Sequence, residues 1–476
     1  MQPKILITAC LSWLLLSGCV PKMDKAAPIA DTTVNADLEK VSRDFDDDKL
    51  VRDWWRMYGD EQLNGIIEEA LAKAPSIQSL EAKFAQANTI IQSVESRNLP
   101  HLAANASVIR ERFSENHIFP PPLGGGSYTQ YQPALTLEYD FDFWNARSSH
   151  ILAAKNTALA QRATIEASKI ALSSALCETY IAWYYEEQKL NILNALDRTT
   201  REELRILEKQ YALGLIDAIE LNDKKSAQMQ IAQRVEELKR SIEGKKEALC
   251  VLGGFLPSYA ESLKTPTIKK GLSLPLPKEV MLNLVAHRSD VAIAKYTALS
   301  KSYTIEQTKA QFYPNISLSG LIGFTSFNWS KLMDHSSYSP SAGIAVSLPL
   351  LDWGMRKANL QNSVSDYNAS VYEYNQAVIK AANEVVVLLK QTKLIQSQLQ
   401  LHDREINAKR GNETITRKKL SQGLSDKLPY LSAKKIVYEG EIDTLSLNET
   451  KSLIQINLIK ALGGGYAQKE DKNASQ

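Results

Sequence analysis

With 476 residues, 44% of them apolar, the chain can bury a large core, and length alone permits about three domains. Its 56 Lys and Arg nearly balance 54 Asp and Glu, so no cationic excess exists to hold a polyanion by counterion release, and no nucleic acid partner is expected. At the N-terminus, Lys4, the apolar run 5–16 and the small Ser17 and Gly18 ahead of Cys19 have the pattern of a secretory signal peptide at 1–18, too short for a spanning helix. No other stretch approaches the ~20 continuous apolar residues of a membrane helix, so a chain that spans a membrane here must do so with strands.

The string LSGC ending at Cys19 resembles a bacterial lipobox, which implies acylation of Cys19. Val20 rather than Asp after it matches the sorting pattern for delivery to the outer membrane; the alternative is an ordinary signal peptide with a stray cysteine. Cys10 leaves with the signal, so Cys177 and Cys250 are the cysteines that remain beside Cys19.

The chain repeats itself at a spacing of about 210 residues. NLPHL at 98–102 echoes YPNI at 313–316, and DFWNAR at 142–147 echoes LDWGMR at 351–356. YALGLID at 211–217 echoes LSQGLSD at 420–426, and ALCVLGG at 248–254 echoes LIKALGG at 458–464. The implied organisation is an N-terminal linker and equatorial segment at 19–60, a first repeat at 61–254, a linker at 255–277, a second repeat at 278–464 and a polar tail at 465–476.

Each repeat carries two stretches with period two, predicted as strands at 102–113 and 131–143 and at 315–326 and 340–350. Leu135, Leu137, Tyr139, Phe141 and Phe143 interleave with Thr136, Glu138, Asp140 and Asp142, so apolar and acidic side chains take opposite faces. In the second repeat Ile344, Val346, Leu348 and Leu350 take one face, and Ile316, Leu318, Ile322 and Phe324 continue the theme in the strand before it. Such a pattern suits a membrane barrel with lipid on one side and a lumen on the other, with Trp144 and Trp353 at matching ends where an interfacial aromatic girdle lies. Four strands cannot close; an eight-stranded barrel is filled by its own side chains, so an open duct calls for a trimer with twelve. Half-buried hairpins of a soluble protein are the alternative. In the lumen, Glu138, Asp140 and Asp142 wet a water-filled pore rather than select its cargo.

From Trp144 to Leu213 there is neither proline nor glycine, which predicts one helix of about 70 residues, or ~105 Å. The stretch 355–422 matches it, with Gly411 as its interior weak point. Ala163, Ala167, Ala171 and Ala175 form a small-residue row, and Leu193, Leu196, Thr200, Leu204, Leu207 and Tyr211 follow the spacing of a coiled-coil seam. Shorter helices are predicted at 62–98, 217–252, 278–312 and 426–462, each about half as long, so that two stacked halves match one long helix. The fold class is therefore mainly α with a small β part: a long antiparallel helical barrel joined to a strand barrel.

The whole mature chain resembles the TolC-like outer membrane factor family, and its lipobox with the opening DWWRMYGDEQLNGIIEEAL at 53–71 is similar to the lipoprotein, NodT-type branch. The resemblance implies a homotrimeric exit duct, lipid-anchored in the outer membrane with a large periplasmic portion. Its expected partners are a periplasmic adaptor protein, an inner membrane pump of RND or ABC type, and outer membrane lipid. It departs at AKAPSIQ, 72–78, where the family often has Asn, and in having Cys177.

The resemblance also assigns the turns at 211–221 and 420–431 to the periplasmic entrance. Gly214 and Gly423 suit left-handed helix ends, and Asp217 with Glu220 suits a cap for the next helix. Beside that local role, Leu213, Gly214, Leu215, Gly423 and Leu424 are the expected adaptor-docking tips, and Asp217 and Asp426 a candidate acidic entrance ring. Cys177 and Cys250 lie about equally far from the first turn, so on adjacent antiparallel helices they are candidates for a disulfide; two separate buried thiols are the alternative.

Six histidines, at 101, 117, 150, 287, 335 and 402, show no paired ligand spacing; Gly124, Gly125 and Gly126 lack the lysine of a phosphate loop, and no GxSxG elbow occurs. No catalysis, metal or cofactor is expected. Efflux of drugs or other small toxic molecules in a tripartite system is the favoured reading. Its rivals are the outer membrane channel of type I protein secretion and a non-conducting helical envelope scaffold.

Overall fold

The computed structural model describes residues 53–269 and 288–464, except His117 and Phe119. The signal peptide, Cys19, the tail 465–476 and the stretch 270–287 lie outside the described residues. In chain order the helices and strands are α1 (Glu61–Lys73), α2 (Pro75–Ser96), β1 (His101–Arg112), β2 (Ser127–Phe141), α3 (Ala146–Ala212), α4 (Ala218–Gly253), a short α5 (Ser258–Ser262), α6 (Ser289–Ala310), β3 (Asn315–Gly323), β4 (Ser341–Ser347), α7 (Met355–Ser421) and α8 (Leu428–Ala461). The protein is mostly helical, with one antiparallel sheet in the order β1-β2-β3-β4.

The duplication is visible element by element. Each repeat has a pair of strands, then a helix of 67 residues, then a returning helix of 36 residues in the first repeat and 34 in the second. At 1.5 Å per residue the long helices run about 100 Å. Gly411 sits inside α7 without interrupting it, a cost of about 1 kcal/mol against alanine that so long a helix absorbs. The single helix expected over 62–98 is two: Ala74 takes φ −58° and ψ 127°, the extended backbone a following proline imposes, and Pro75 opens α2.

The chain divides into two compact units. One contains Lys83–Gln161 and Ile293–Tyr374, and so holds the whole sheet. Its β2 starts at Ser127, ahead of the expected 131. Its β4 stops at Ser347 rather than 350, because Pro349 has no N–H to give to the ladder. The helices of this unit pack through Ile305, Leu360 and Val364.

The other unit contains the described parts of Ala30–Ala82, Arg162–Ala292 and Asn375–Gln476. Its largest core gathers Trp54, Trp55 and Tyr58 from a single 3-10 turn, Leu63, Ile66 and Ile67 from α1, Leu176, Tyr180 and Trp183 from α3, Leu249 from α4 and Ile456 and Ile459 from α8. Further along, Leu193 and Leu196 pack on Val235, with Tyr438 and Ile442 closing the cluster. The expected seam is thus buried at Leu193, Leu196, Thr200 and Leu207 and opens at Tyr211, where the helices end. Of the alanine row, Ala163 is buried while Ala171 is exposed.

Candidate functional site

The register of the sheet sorts its side chains into two sets. One face carries the rows Leu102–Leu137–Gly320–Ala342, Tyr139–Leu318–Ile344 and Phe141–Ile316–Val346, with Ala104–Leu135–Ile322 beside them. The opposite face carries His101–Glu138–Ser319–Gly343, Ala103–Thr136–Leu321–Ser341 and Asp140–Ser317–Ala345. Leu321, and Ile109 opposite Gln130, are apolar exceptions on a largely polar surface. The apolar face is uncovered in the single chain, with Ile344 71% and Leu102 65% exposed, and a bare apolar surface of that breadth marks contact with lipid or another chain. β1 and β4 each pair on one side within the chain, leaving the other edge open to a further strand. No helix of the described residues is long and apolar enough to cross a membrane.

The strand-to-helix joints correct the acidic residues. β2 ends at Phe141, so Asp142 is not a strand residue. Its carboxylate accepts hydrogen bonds from the backbone N–H groups of Arg147 at 3.0 Å and Ser148 at 2.9 Å, satisfying donors at the start of α3. Asp140 does lie on the polar face but is ion-paired to Arg147, whose guanidinium also donates to the Arg97 carbonyl. Glu138 alone of the three stays exposed on that face without such a role. In the second repeat Asp352 does the work of Asp142, accepting from the N–H groups of Gly354 and Arg356.

The two expected girdle tryptophans also diverge. Trp144 stacks on Tyr313 at 4.6 Å and donates its indole N–H to the Pro314 carbonyl at 2.8 Å, which ties the two joints together instead of facing outward. Trp353 is 90% exposed. Near Trp144, Phe141 and the exposed Phe143 stack at 5.5 Å.

At the far ends of the long helices the two turns share one geometry. Leu215 N–H donates to the Gln210 carbonyl and Gly214 N–H to Tyr211; Leu424 donates to Lys419 and Gly423 to Leu420, all at 2.9–3.0 Å. Both glycines have φ +70°, and a Cβ at either would meet open space, so backbone conformation rather than room asks for glycine. Asp217 caps α4 through the Glu220 N–H at 2.8 Å, and Asp426 accepts from the Leu428 N–H at 3.1 Å. Leu213, Leu215 and Leu424 stand 74%, 68% and 73% exposed. Behind the tips, Lys427 pairs with Glu202, and Lys435 with the buried Glu203, so α3 is joined to the second turn and to α8 by charge.

The disulfide is not formed: Cys177 and Cys250 are both free, buried thiols. They face different neighbours. Burial, with a smaller push from Glu178, raises the Cys177 thiol well above its ordinary value, and Cys177 in turn helps to raise Tyr58. Cys250 lies beside Tyr259 and the Ala260 backbone at the end of α4.

Sequence reasoning passed over one group of buried polar residues. Asp60, 4% exposed, accepts from Gln62 N–H at 2.9 Å, Leu63 N–H at 3.3 Å, the Tyr180 hydroxyl at 2.8 Å and Thr267 N–H at 2.8 Å. Gln62 bridges both ways to the Lys264 backbone at 2.8 Å, which pins the chain after α5 over α1. The available signal was Asp ahead of Glu-Gln, a helix cap, directly after the aromatic run WWRMY.

Set beside known proteins, residues 66–254 and 282–464 match the family model described as Outer membrane efflux protein. The chain is 25% identical to the multidrug resistance outer membrane protein MdtQ of Escherichia coli O6:H1, over 95% of this chain and 96% of that protein. It is 23% identical to MdtP of the same strain, over 87% and 86%. Among solved structures, the outer membrane protein VceC of Vibrio cholerae superposes with a TM-score of 0.81 at 25% identity, covering 88% of this chain and all of that one. The Campylobacter jejuni CmeC outer membrane channel superposes with a TM-score of 0.84 at 20% identity, covering 96% of each.

Proposed function

Since the chain belongs to the outer membrane efflux protein family, we propose that three copies assemble through their open strand edges into a twelve-stranded barrel that carries small toxic molecules out of the cell. The protein is an outer membrane efflux channel and not an enzyme. The observation that carries the barrel is the two-faced register: lipid takes the Leu102–Leu137 side, and water fills the Glu138–Ser319 side. Pairing β4 of one copy with β1 of the next removes every free edge in a closed ring. Two copies would give eight strands, a barrel filled by its own side chains, whereas twelve leave a lumen.

In this reading Cys19 is acylated and holds the chain to the membrane, and the turns at Leu213–Gly214–Leu215 and Gly423–Leu424 meet a periplasmic adaptor. Exposed leucines held on rigid left-handed turns are what a partner's apolar surface can bury without ordering a loop first. The relatives MdtQ and MdtP are named for multidrug resistance, which favours drugs as the cargo class here, with an RND pump at the inner membrane. Asp217 and Asp426, threefold repeated, would give the entrance a cation preference.

A photoreactive residue at Leu424, activated in living cells, tests the assignment. Capture of the adaptor of a proton-driven pump is expected. Capture of an ABC exporter's adaptor redirects the cargo to proteins or peptides, and no periplasmic capture from an abundant trimer overturns the docking tips.

A further inference from the structure

Along β1 the sequence Val108-Ile109-Arg110-Glu111-Arg112 continues the strand's alternation past its last apolar residue. Arg110 and Arg112 share the face of Leu102 and Val108, while Glu111 takes the opposite, polar face with its partner Tyr128. Beyond the level where Val108 pairs with Tyr131, two successive steps of about 7 Å along the strand therefore bring a guanidinium onto the outward face. Trp329, 67% exposed, lies edge-on against Tyr131 at 5.2 Å, so an indole stands beside the first of these steps.

These residues crowd the end of the sheet away from the helices, since α2 leads into the opposite end of β1 and α3 leaves from the opposite end of β2. Arg112 is positioned by the Gly125 carbonyl at 3.2 Å and lies 3.5 Å from the Glu115 carboxylate. Arg110 has no hydrogen-bond or ion-pair partner among the described residues, and its cross-strand neighbour is the neutral Thr129. A cation held on a lipid-facing surface, one step beyond the apolar rows and without an internal counter-ion, calls for an anion supplied from the membrane surface.

We propose that this outward end of β1 docks the phosphorylated glycolipid of the outer leaflet, lipid A, with its phosphate on Arg110 and Arg112 and its sugar ring against Trp329. The proposal rests on the barrel reading above, which sets this face toward lipid and this end toward the outer leaflet. A guanidinium fork fits a phosphate monoester's oxygens in a two-point contact. An exposed indole offers a flat apolar face for the ring hydrogens of a sugar, a contact that a glycerol-based headgroup lacks. That difference commits the site to the glycolipid rather than to a glycerophospholipid.

The test uses the full-length protein purified in mild detergent from outer membranes, with lipid A and glycerophospholipid per chain quantified by mass spectrometry. Arg110→Gln is expected to retain about fivefold less lipid A than wild type, the loss of one cation near a charged surface, and Arg112→Gln to deepen the loss. Glu111→Gln, on the other face, is expected to leave it unchanged. Equal lipid A in wild type and Arg110→Gln, or glycerophospholipid bound in its place, overturns the inference while leaving the channel intact. Wild-type protein missing from the outer membrane overturns the barrel reading and this inference with it. A measurement free of variants runs beside it: lipid A added to the wild-type trimer is expected to raise its melting temperature where phosphatidylglycerol does not, and an equal response to the two overturns the site.

Discussion

The turn at 213–217 leaves Leu213 and Leu215 74% and 68% exposed, whereas the segment before α1 and the middle of α3 bury Trp54, Trp55, Tyr58, Tyr180 and Trp183 to 5% or less. The tip is made by backbone rules, and its glycine at φ +70° with the backbone hydrogen bonds of the turn is copied in the second repeat, while the aspartates differ, Asp217 capping α4 through the Glu220 N–H and Asp426 accepting from the Leu428 N–H. The aromatic core draws its rings from the segment before α1 and from α3, with Ile456 and Ile459 of α8 packed against them and Asp60 as its shared acceptor. Duplication thus preserved the geometry that a partner would meet and let the interior diverge. Stability belongs to the core and the proposed recognition to the tips, and the two can be perturbed separately.

Trp183→Ala should strike hardest. The indole is fully buried, and its truncation is expected to cost about 3–5 kcal/mol in thermal or denaturant unfolding of the detergent-solubilised trimer. A loss near that of an exposed residue would break the division between core and tip.

Arg288 comes next. It is 8% exposed, reaches Asp290 at 2.9 Å, Glu384 at 2.8 Å and the Ala461 carbonyl at 2.6 Å, and so ties α6, α7 and α8 together. Burial alone would raise the Asp290 carboxyl, but the Arg288 hydrogen bonds and charge outweigh it and hold the group below its ordinary 3.8. A depressed folded-state value stabilises fully at neutral pH, and that contribution is lost as the pH falls below 3.8 and through the folded value. Asp290→Asn should flatten this part of the acid-unfolding curve; an unchanged acid limb contradicts the pairing.

Gly423→Ala is expected to cost about 1 kcal/mol, confined to the tip, because alanine is strained at positive φ although nothing crowds it. Hydrogen exchange should show the change at the turn and not in the aromatic core. The smallest effect is expected for Arg234→Gln: its pair with Glu439 at 2.9 Å is 45% exposed on each side, and the loss should stay below about 0.5 kcal/mol.

Much of this molecule is legible in its sequence, for local reasons. A proline-free and glycine-free run gives α3, Gly-Leu-x-Asp gives the turns, and apolar alternation gives the faces of β2 and β3. Reading failed where one residue had two claims on it. Asp142 continues the alternation of β2 but also precedes a helix with unsatisfied N–H groups, and the helix takes it. Trp144 looks like a girdle residue until Tyr313, 169 positions later in the chain, is placed against it. Equal distance from a turn put Cys177 and Cys250 at similar heights, but periodicity alone does not fix which way each faces, and they face different neighbours. Asp60 was visible as a cap, while its bonds to Tyr180 and Thr267 are tertiary and leave no local trace.

The two-faced sheet is most directly tested by cysteines at adjacent β3 positions, Leu318→Cys and Ser319→Cys, probed with a membrane-impermeant thiol reagent on intact cells. Native Cys177 and Cys250 are buried and contribute little background. Rapid labelling at 319 and protection at 318 is the predicted result. Equal labelling at both, or the reverse order, would contradict a lumen on the Glu138–Ser319 face and with it the channel.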